Sequence, residues 1–143
     1  MKLTLSLFTV ALLLTACRPK DSADDKMQKE LSGTWTFEAR YKSGGSVEQS
    51  MTLARDGSYV LTLTMPGRTN GPRTISMEGT FRVEGGFLVD TVTKDSQTNA
   101  APMPRTNRAR IVRLDGRELV LDDERSPAAV YPTNQVVFLK QTK

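Results

Sequence analysis

The chain contains no histidine and a single cysteine, Cys17, among its 143 residues. Without histidine, the general base that most often acts near neutral pH is missing, and so are Ser-His and Cys-His nucleophile pairs. A zinc or copper site built from histidine and cysteine is excluded as well. One cysteine cannot form a disulfide within the chain. We therefore expect a protein that is not an enzyme and that uses neither a metal nor a cofactor.

Long apolar runs are also missing. The longest, Leu3 to Leu14, is interrupted by threonine and serine and is shorter than the roughly 20 residues that a membrane-spanning helix needs. It follows a basic start, Met1-Lys2, and leads into small residues. This order is typical of a secretory signal peptide that is removed from the mature protein.

The residues at the end of this run, Leu14-Thr15-Ala16-Cys17, resemble the bacterial lipobox. The resemblance implies cleavage before Cys17 and acyl chains on its thiol and its new amino group. Several chains give a stable anchor, because each buried methylene contributes about 0.8 kcal/mol. An ordinary signal peptide with an unpaired cysteine is the alternative. Arg18 stands where an aspartate would retain a lipoprotein in the inner membrane, which implies the outer membrane, facing the periplasm, of a host with two membranes.

The charge of the chain is modest, with a formal net charge of +4 and a sequence pI near 9.4. Basic residues are scattered, and aromatic residues make up only 6% of the chain. Base-stacking surfaces need aromatics among the basic residues, so we expect no nucleic-acid partner. The anionic membrane surface or plain solubility is the expected use of the charge.

The sequence divides into three parts. Residues 1–16 form the signal peptide, residues 17–31 the lipidated cysteine and a flexible tether, and residues 32–143 a β domain. The tether is charged and almost free of apolar residues up to Lys29. Its far end predicts a short helix, because Ser22 is a suitable cap and Met27 and Leu31 would share one helical face.

After Gly33 the hydrophobic period becomes two, as in a strand buried on one face. Strands are predicted at about 34–41, 47–53, 58–65, 74–83, 87–93, 109–114, 117–121 and 135–139, with long loops at 94–107 and 122–133. Gly79, in the middle of a strand, indicates a bulge. The fold class is thus all-β, an antiparallel meander of about eight strands. Closing it into a barrel would remove exposed edges, and an open or two-sheet sandwich is the alternative.

The stretch Leu31-Ser32-Gly33-Thr34-Trp35 resembles the Gly-x-Trp signature of lipocalins. The runs 79–89, 114–121 and 137–140 are similar to small bacterial lipocalin-like lipoprotein domains. The resemblance implies a lipocalin-like barrel with Trp35 packed across its closed end, and a structural role for Gly33 and Trp35. The chain lacks the Thr-Asp-Tyr-like motif, the late arginine and the C-terminal helix of typical lipocalins, and its nearest late basic residue is Lys140. Fold alone does not fix function, so ligand binding does not follow from this resemblance.

Three sets of residues are candidates for function. Tyr41, Met51 and Met65 lie near predicted strand ends and are candidates for the mouth of a ligand cavity. Arg105, Arg108, Arg110 and Arg113 form the densest basic stretch and are candidates for contact with an anionic partner, or else a solvated edge. We interpret Asp122-Asp123-Glu124 as a solvated acidic turn, because it lacks the ligand spacing of a calcium loop.

These observations lead to one functional expectation and its alternative. We expect a lipid-anchored cell-envelope protein whose non-catalytic barrel binds a small apolar or amphipathic ligand. The alternative is a filled barrel that contacts an envelope protein through the loops at 65–73 and 94–107. An eight-stranded barrel is wide enough for either role. An inward-facing pair of carboxylates in a pocket would favour an enzyme instead.

Overall fold

The computed structural model describes residues 22–40, 45–67, 71–97, 101–122 and 135–142. Its first element is helix α1, Ala23–Leu31. The Ser22 hydroxyl accepts a hydrogen bond from the Asp25 N–H at 3.1 Å, and the Asp25 carboxylate accepts one from the Ser22 N–H at 3.0 Å. This capping box pairs backbone N–H groups that a helix start leaves free. The predicted short helix is confirmed. No helix among the described residues is long and apolar enough to cross a bilayer.

Eight strands follow the helix. They are β1 Gly33–Arg40, β2 Ser46–Leu53, β3 Ser58–Met65, β4 Arg73–Glu84, β5 Phe87–Asp95, β6 Arg105–Leu114, β7 Glu118–Asp122 and β8 Gln135–Lys140. Each strand pairs antiparallel with the next, and β8 pairs with β1, so the sheet is a closed barrel. This confirms the all-β, lipocalin-like barrel with a short N-terminal helix, and the sandwich alternative is wrong.

The two ends of the barrel differ. The tight turns after β2, β4 and β6 gather with α1 at one end, which we call the closed end, and the other connections lie at the open end. The Asp24 carboxylate accepts hydrogen bonds from the N–H groups of Gly85 at 2.9 Å and Gly86 at 3.4 Å, and the Gln28 side chain accepts one from the Val83 N–H at 3.3 Å. Residues 22–31, which the sequence assigns to the tether, are therefore part of the barrel domain.

Trp35 is fully buried at the closed end. Its indole N–H donates to the Leu31 carbonyl at 2.7 Å, and the Lys140 ammonium lies 4.8 Å from the centre of its ring. The Lys140 ammonium also donates to the Glu30 carbonyl at 3.1 Å. A Cβ on Gly33 would lie 2.9 Å from Cε of Lys140, and Gly33 has a φ of +140°. Gly33, Trp35 and Lys140 thus fasten the helix, the first strand and the last strand together.

The strands on either side of the β5–β6 connection are longer than the sequence predicts. The long loop expected at 94–107 is reduced to residues 96–104, because β5 continues to Asp95 and β6 begins at Arg105. The physical reason is that Asp95, Arg105 and Asn107 are polar residues within strands, which obscures the apolar alternation. The bulge expected at Gly79 is confirmed by a register shift between Glu78 and Gly79.

The contact between β1 and β8, which we call the seam, is the shortest in the barrel. It has two residue pairs, Trp35 with Lys140 and Thr36 with Leu139. The Gln141 N–H reinforces it by donating to the Thr34 carbonyl at 2.8 Å. Residues 37–40 and 135–138 are all described, yet no strand pairing joins them. The ring centroids of Phe37 and Phe138 lie 5.8 Å apart just beyond the last pair.

Candidate functional site in the barrel interior

The half of the interior next to the closed end is filled by apolar side chains. Strand register places every second residue of a strand on the inside, and most inward residues here are almost inaccessible to solvent, although Ala109, Ile111 and Leu114 are half-buried. Their exposed fractions are 0% for Trp35, 1% for Leu53, 0% for Val92 and 0% for Leu119. This half is therefore a packed core and leaves no room for a ligand among these side chains.

The half next to the open end is different. Leu61 pairs with Met51 on one side and with Met77 on the other, so it faces inwards. It is nevertheless only half-buried. The other inward apolar residues of this half that are only half-buried are Phe37, Ala39, Leu63, Met65 and Met77, whereas Val47 and Ile75 are each only 4% exposed. Solvent thus reaches an apolar surface inside the barrel, which is the usual lining of a small-molecule site.

A polar stripe crosses this interior along β5 and β6. Asp90 pairs with Asn107 in the register of the two strands, and both face inwards with their neighbours Leu88 and Ala109. The Asn107 amide donates to the Asp90 carboxylate at 2.8 Å. Nearer the open end, the Arg105 guanidinium donates to the Asp95 carboxylate at 2.7 Å. We call Asp90, Asp95, Arg105 and Asn107 the interior polar stripe.

The ion pair in the stripe is unequally exposed. The Asp95 side chain is 2% exposed, whereas that of Arg105 is 28% exposed. The pKa of Asp95 is lowered, first by the hydrogen bond that it accepts from the Gln97 N–H at 2.9 Å and further by Arg105. The same guanidinium contacts the sulfur of Met77 at 3.2 Å. Asp95 is thus held ionised out of reach, while part of Arg105 remains accessible.

The stripe does contain two inward carboxylates, the feature that would favour an enzyme. Both are already engaged, Asp90 by Asn107 and Asp95 by Arg105. Because Asp95 is nearly inaccessible, it cannot meet a substrate directly. Among the described residues, no group of three or more acidic or cysteine side chains is placed to hold a metal ion.

Tyr59 lies in the packed half and is 4% exposed. Burial raises the pKa of its phenol, the charge of Asp90 raises the pKa further, and Arg105 opposes the shift. The phenol therefore stays protonated in the folded protein at a pH where an unfolded tyrosine, with a pKa near 10, releases its proton. Tyr59 marks the boundary between the core and the interior polar stripe.

This shift predicts a loss of stability in alkali. Above about pH 10 the unfolded state releases the Tyr59 proton and the folded state does not, so the free energy of unfolding falls by up to about 1.4 kcal/mol per pH unit. Below about pH 10 the phenol is protonated in both states, and this contribution is constant. Urea unfolding from pH 8 to pH 11 should show a shallower alkaline decline for Tyr59→Phe than for the unmodified protein. Parallel curves for the two proteins would contradict the shift.

The three residues predicted to line the mouth of a ligand cavity lie in different places. Met51 pairs with Trp35 and is 3% exposed, so its placement at the mouth is wrong. The prediction is wrong because the alternation of apolar and polar residues does not show which end of the barrel α1 covers. Met65 ends β3 at the open end and is half-buried there. Tyr41 lies outside the described residues.

The four arginines do not form one basic face. Arg105 points into the barrel, whereas Arg108, Arg110 and Arg113 are exposed on its outside. The Arg108 guanidinium lies 3.8 Å from the centre of the Phe87 ring. Arg110 pairs with Asp122 at 2.8 Å, and Arg113 pairs with Glu118. Arg110 and Arg113 are thus ion-paired within the barrel wall, Arg108 lies against an aromatic ring, and Arg105 belongs to the interior.

Comparison with other proteins does not indicate a function, so the barrel interior is the basis for a functional proposal. The chain matches no protein-family model, and no curated protein is significantly similar to it. The lipocalin-like character of the chain therefore rests on its closed eight-stranded barrel and its short helix.

Sequence reasoning missed the interior polar stripe. One signal was present, because Leu88, Asp90 and Val92 alternate with their neighbours and put a carboxylate on the apolar side of a strand. The sequence predicts a loop at 94–107, which includes Arg105 and Asn107, so it does not reveal their pairing with Asp95 and Asp90 across β5 and β6.

Proposed function

We propose that this protein is a lipid-anchored, non-catalytic protein of the bacterial cell envelope, and that its barrel binds a small amphipathic molecule in the half next to the open end. The observation that carries the binding role is the contrast within the interior. Inward side chains are fully buried near Trp35, whereas the inward side chains of Phe37, Leu61 and Leu63 are only half-buried. A packed barrel would bury both sets alike.

The interior itself suggests the class of ligand. The apolar wall formed by Phe37, Leu61 and Leu63 suits a hydrocarbon chain or ring. The interior polar stripe on the opposite strands offers an accessible part of the Arg105 guanidinium, and polar groups of this kind orient a ligand within an apolar pocket. A molecule with one apolar part and one hydrogen-bonding part fits this interior better than a wholly apolar one.

Binding can be tested with matched substitutions on neighbouring residues of β3. Leu61 faces inwards, whereas Val60 faces outwards and is 41% exposed. A chain from Arg18 onwards, which contains every described residue, should enhance the fluorescence of the apolar probe N-phenyl-1-naphthylamine. We expect Leu61→Trp to abolish the enhancement, because the indole fills the space, and Val60→Trp to preserve it. Equal binding by both variants would place the probe outside the barrel.

A complete absence of probe binding by the unmodified chain would favour the alternative, a filled barrel that contacts an envelope partner. Native mass spectrometry of the same chain provides a second readout. An additional mass that disappears on denaturation would identify the ligand class, and a bare polypeptide mass would agree with a filled barrel.

The anchor is supported by the order of a basic start, a short apolar run and Leu14-Thr15-Ala16-Cys17. The proposed location is the outer membrane, facing the periplasm, because Arg18 follows the cysteine. Replacing Cys17 with serine should release the protein from the membrane fraction or leave its precursor uncut. The acyl mass on the first mature residue should be lost at the same time. Membrane attachment that survives Cys17→Ser would contradict lipidation.

A further inference from the structure

We infer that the closed end of the barrel rests on the lipid headgroups of the anchoring membrane and that the open end points away from it. The inference rests on the proposed lipidation of Cys17. It concerns which surface of the protein meets the membrane, and it is argued from the position of α1 and from the length of chain between the anchor and the helix.

Helix α1 is fixed to the closed end along its whole length. Near its start, Asp24 accepts hydrogen bonds from the turn at Gly85 and Gly86. At its far end, the Leu31 carbonyl accepts the indole N–H of Trp35. The helix N-cap, Ser22, is thus held at the closed end and cannot move to the open end without unfolding α1.

The chain between the anchor and the helix is short. Five residue steps separate Cys17 from Ser22, and in any conformation they span at most about 18 Å. The polar headgroup layer takes up roughly 6 Å of this distance. Ser22 is therefore confined to within about 12 Å of the lipid surface.

The height of the barrel excludes the inverted orientation. A strand of eight residues such as β3 is about 26 Å long, and the usual tilt of strands in a barrel reduces its height to about 20 Å. If the open end lay on the membrane, Ser22 would be at least that far from the lipid surface. The tether cannot span this distance, so the closed end must be the nearer one.

The orientation can be measured with one fluorescent label at each end of the barrel. Gly116 lies in the β6–β7 turn at the closed end, and a Cβ there would meet no atom within 4 Å. Ala101 is exposed in the β5–β6 connection at the open end. Gly116→Cys and Ala101→Cys would each introduce one reactive thiol into the lipidated full-length protein, because acylation consumes the thiol of Cys17.

The labelled lipoproteins are placed in vesicles of phosphatidylethanolamine and phosphatidylglycerol that contain a lipid with a spin-labelled headgroup. We expect the label at Gly116→Cys to lose most of its emission and the label at Ala101→Cys to retain most of it. Equal quenching at the two sites would mean that the barrel lies on its side, and the reverse pattern would mean that it is inverted. Either result would overturn the inference.

Failure of the anchor itself is recognised separately. The mass of the purified protein reports acylation before the labels are read, and flotation with the vesicles reports attachment. A protein that is acylated and floats but is quenched equally at both sites overturns the orientation alone. A protein without acyl mass overturns the proposed anchor, and the orientation with it.

Discussion

Replacing Trp35 with alanine is expected to lower the free energy of unfolding by about 3–5 kcal/mol, the usual range when a large aromatic side chain is removed from a core. Trp35 has no exposed surface, and its neighbours Leu31, Leu53 and Leu119 are equally inaccessible. The substitution also removes the donor to the Leu31 carbonyl and the ring beside the Lys140 ammonium. Helix α1 and the last strand would lose a shared point of attachment.

Circular dichroism during urea unfolding is the appropriate measurement, because Trp35 is the only tryptophan and its fluorescence disappears with the substitution. Leu139→Ala is a matched control, since Leu139 is 53% exposed on the neighbouring strand. The control should change stability by no more than about 0.5 kcal/mol. An unfolding midpoint for Trp35→Ala equal to that of the control would show that the register of β1 is wrong.

The second large effect is expected at Gly79, where β4 bulges against β5. A Cβ on Gly79 would lie 1.9 Å from the Thr91 carbonyl oxygen and 2.8 Å from its carbon. These are backbone atoms, so they cannot rotate away as the end of a flexible side chain would. We expect Gly79→Ala to destabilise the barrel by about 3 kcal/mol, at the upper end of the usual cost of overpacking.

Gly116→Ala is the matched control for this substitution. Both positions lack the positive φ that favours glycine, and a Cβ at Gly116 would meet nothing within 4 Å. The two variants therefore make the same chemical change and differ in the space available. Thermal unfolding of both should show a lower midpoint for Gly79→Ala alone. Similar midpoints would mean that β4 and β5 do not approach as closely as the structure places them.

Features that depend on neighbours in sequence could be predicted from the sequence. The capping of α1 involves Ser22 and Asp25, which are three positions apart, and the strands follow from the alternation of residues such as Trp35 and Phe37. The bulge at Gly79 could be predicted because a glycine in the middle of a strand often marks a bulge. These signals were enough for an eight-stranded barrel with a short helix.

Features that depend on the closure of the barrel could not be predicted in the same way. Asp90 meets Asn107 across 17 positions and an intervening loop, and composition does not reveal that pairing. The contrast between buried Met51 and half-buried Leu61 depends on which end of the barrel the helix covers. The identity of the packed half and of the accessible half therefore became clear only in the assembled structure.

The seam between β1 and β8 also bears on how the chain folds. Its residues are far apart in sequence, with 103 positions between Thr36 and Leu139, whereas the other strand pairs join neighbours along the chain. Because distant contacts carry the largest loss of chain entropy, the ring should close in the last step of folding. Before that step, the sheet is a curled ribbon with two free edges, and free edges readily pair with other chains. A newly made chain therefore remains prone to aggregation until its last strand, β8, has paired with β1.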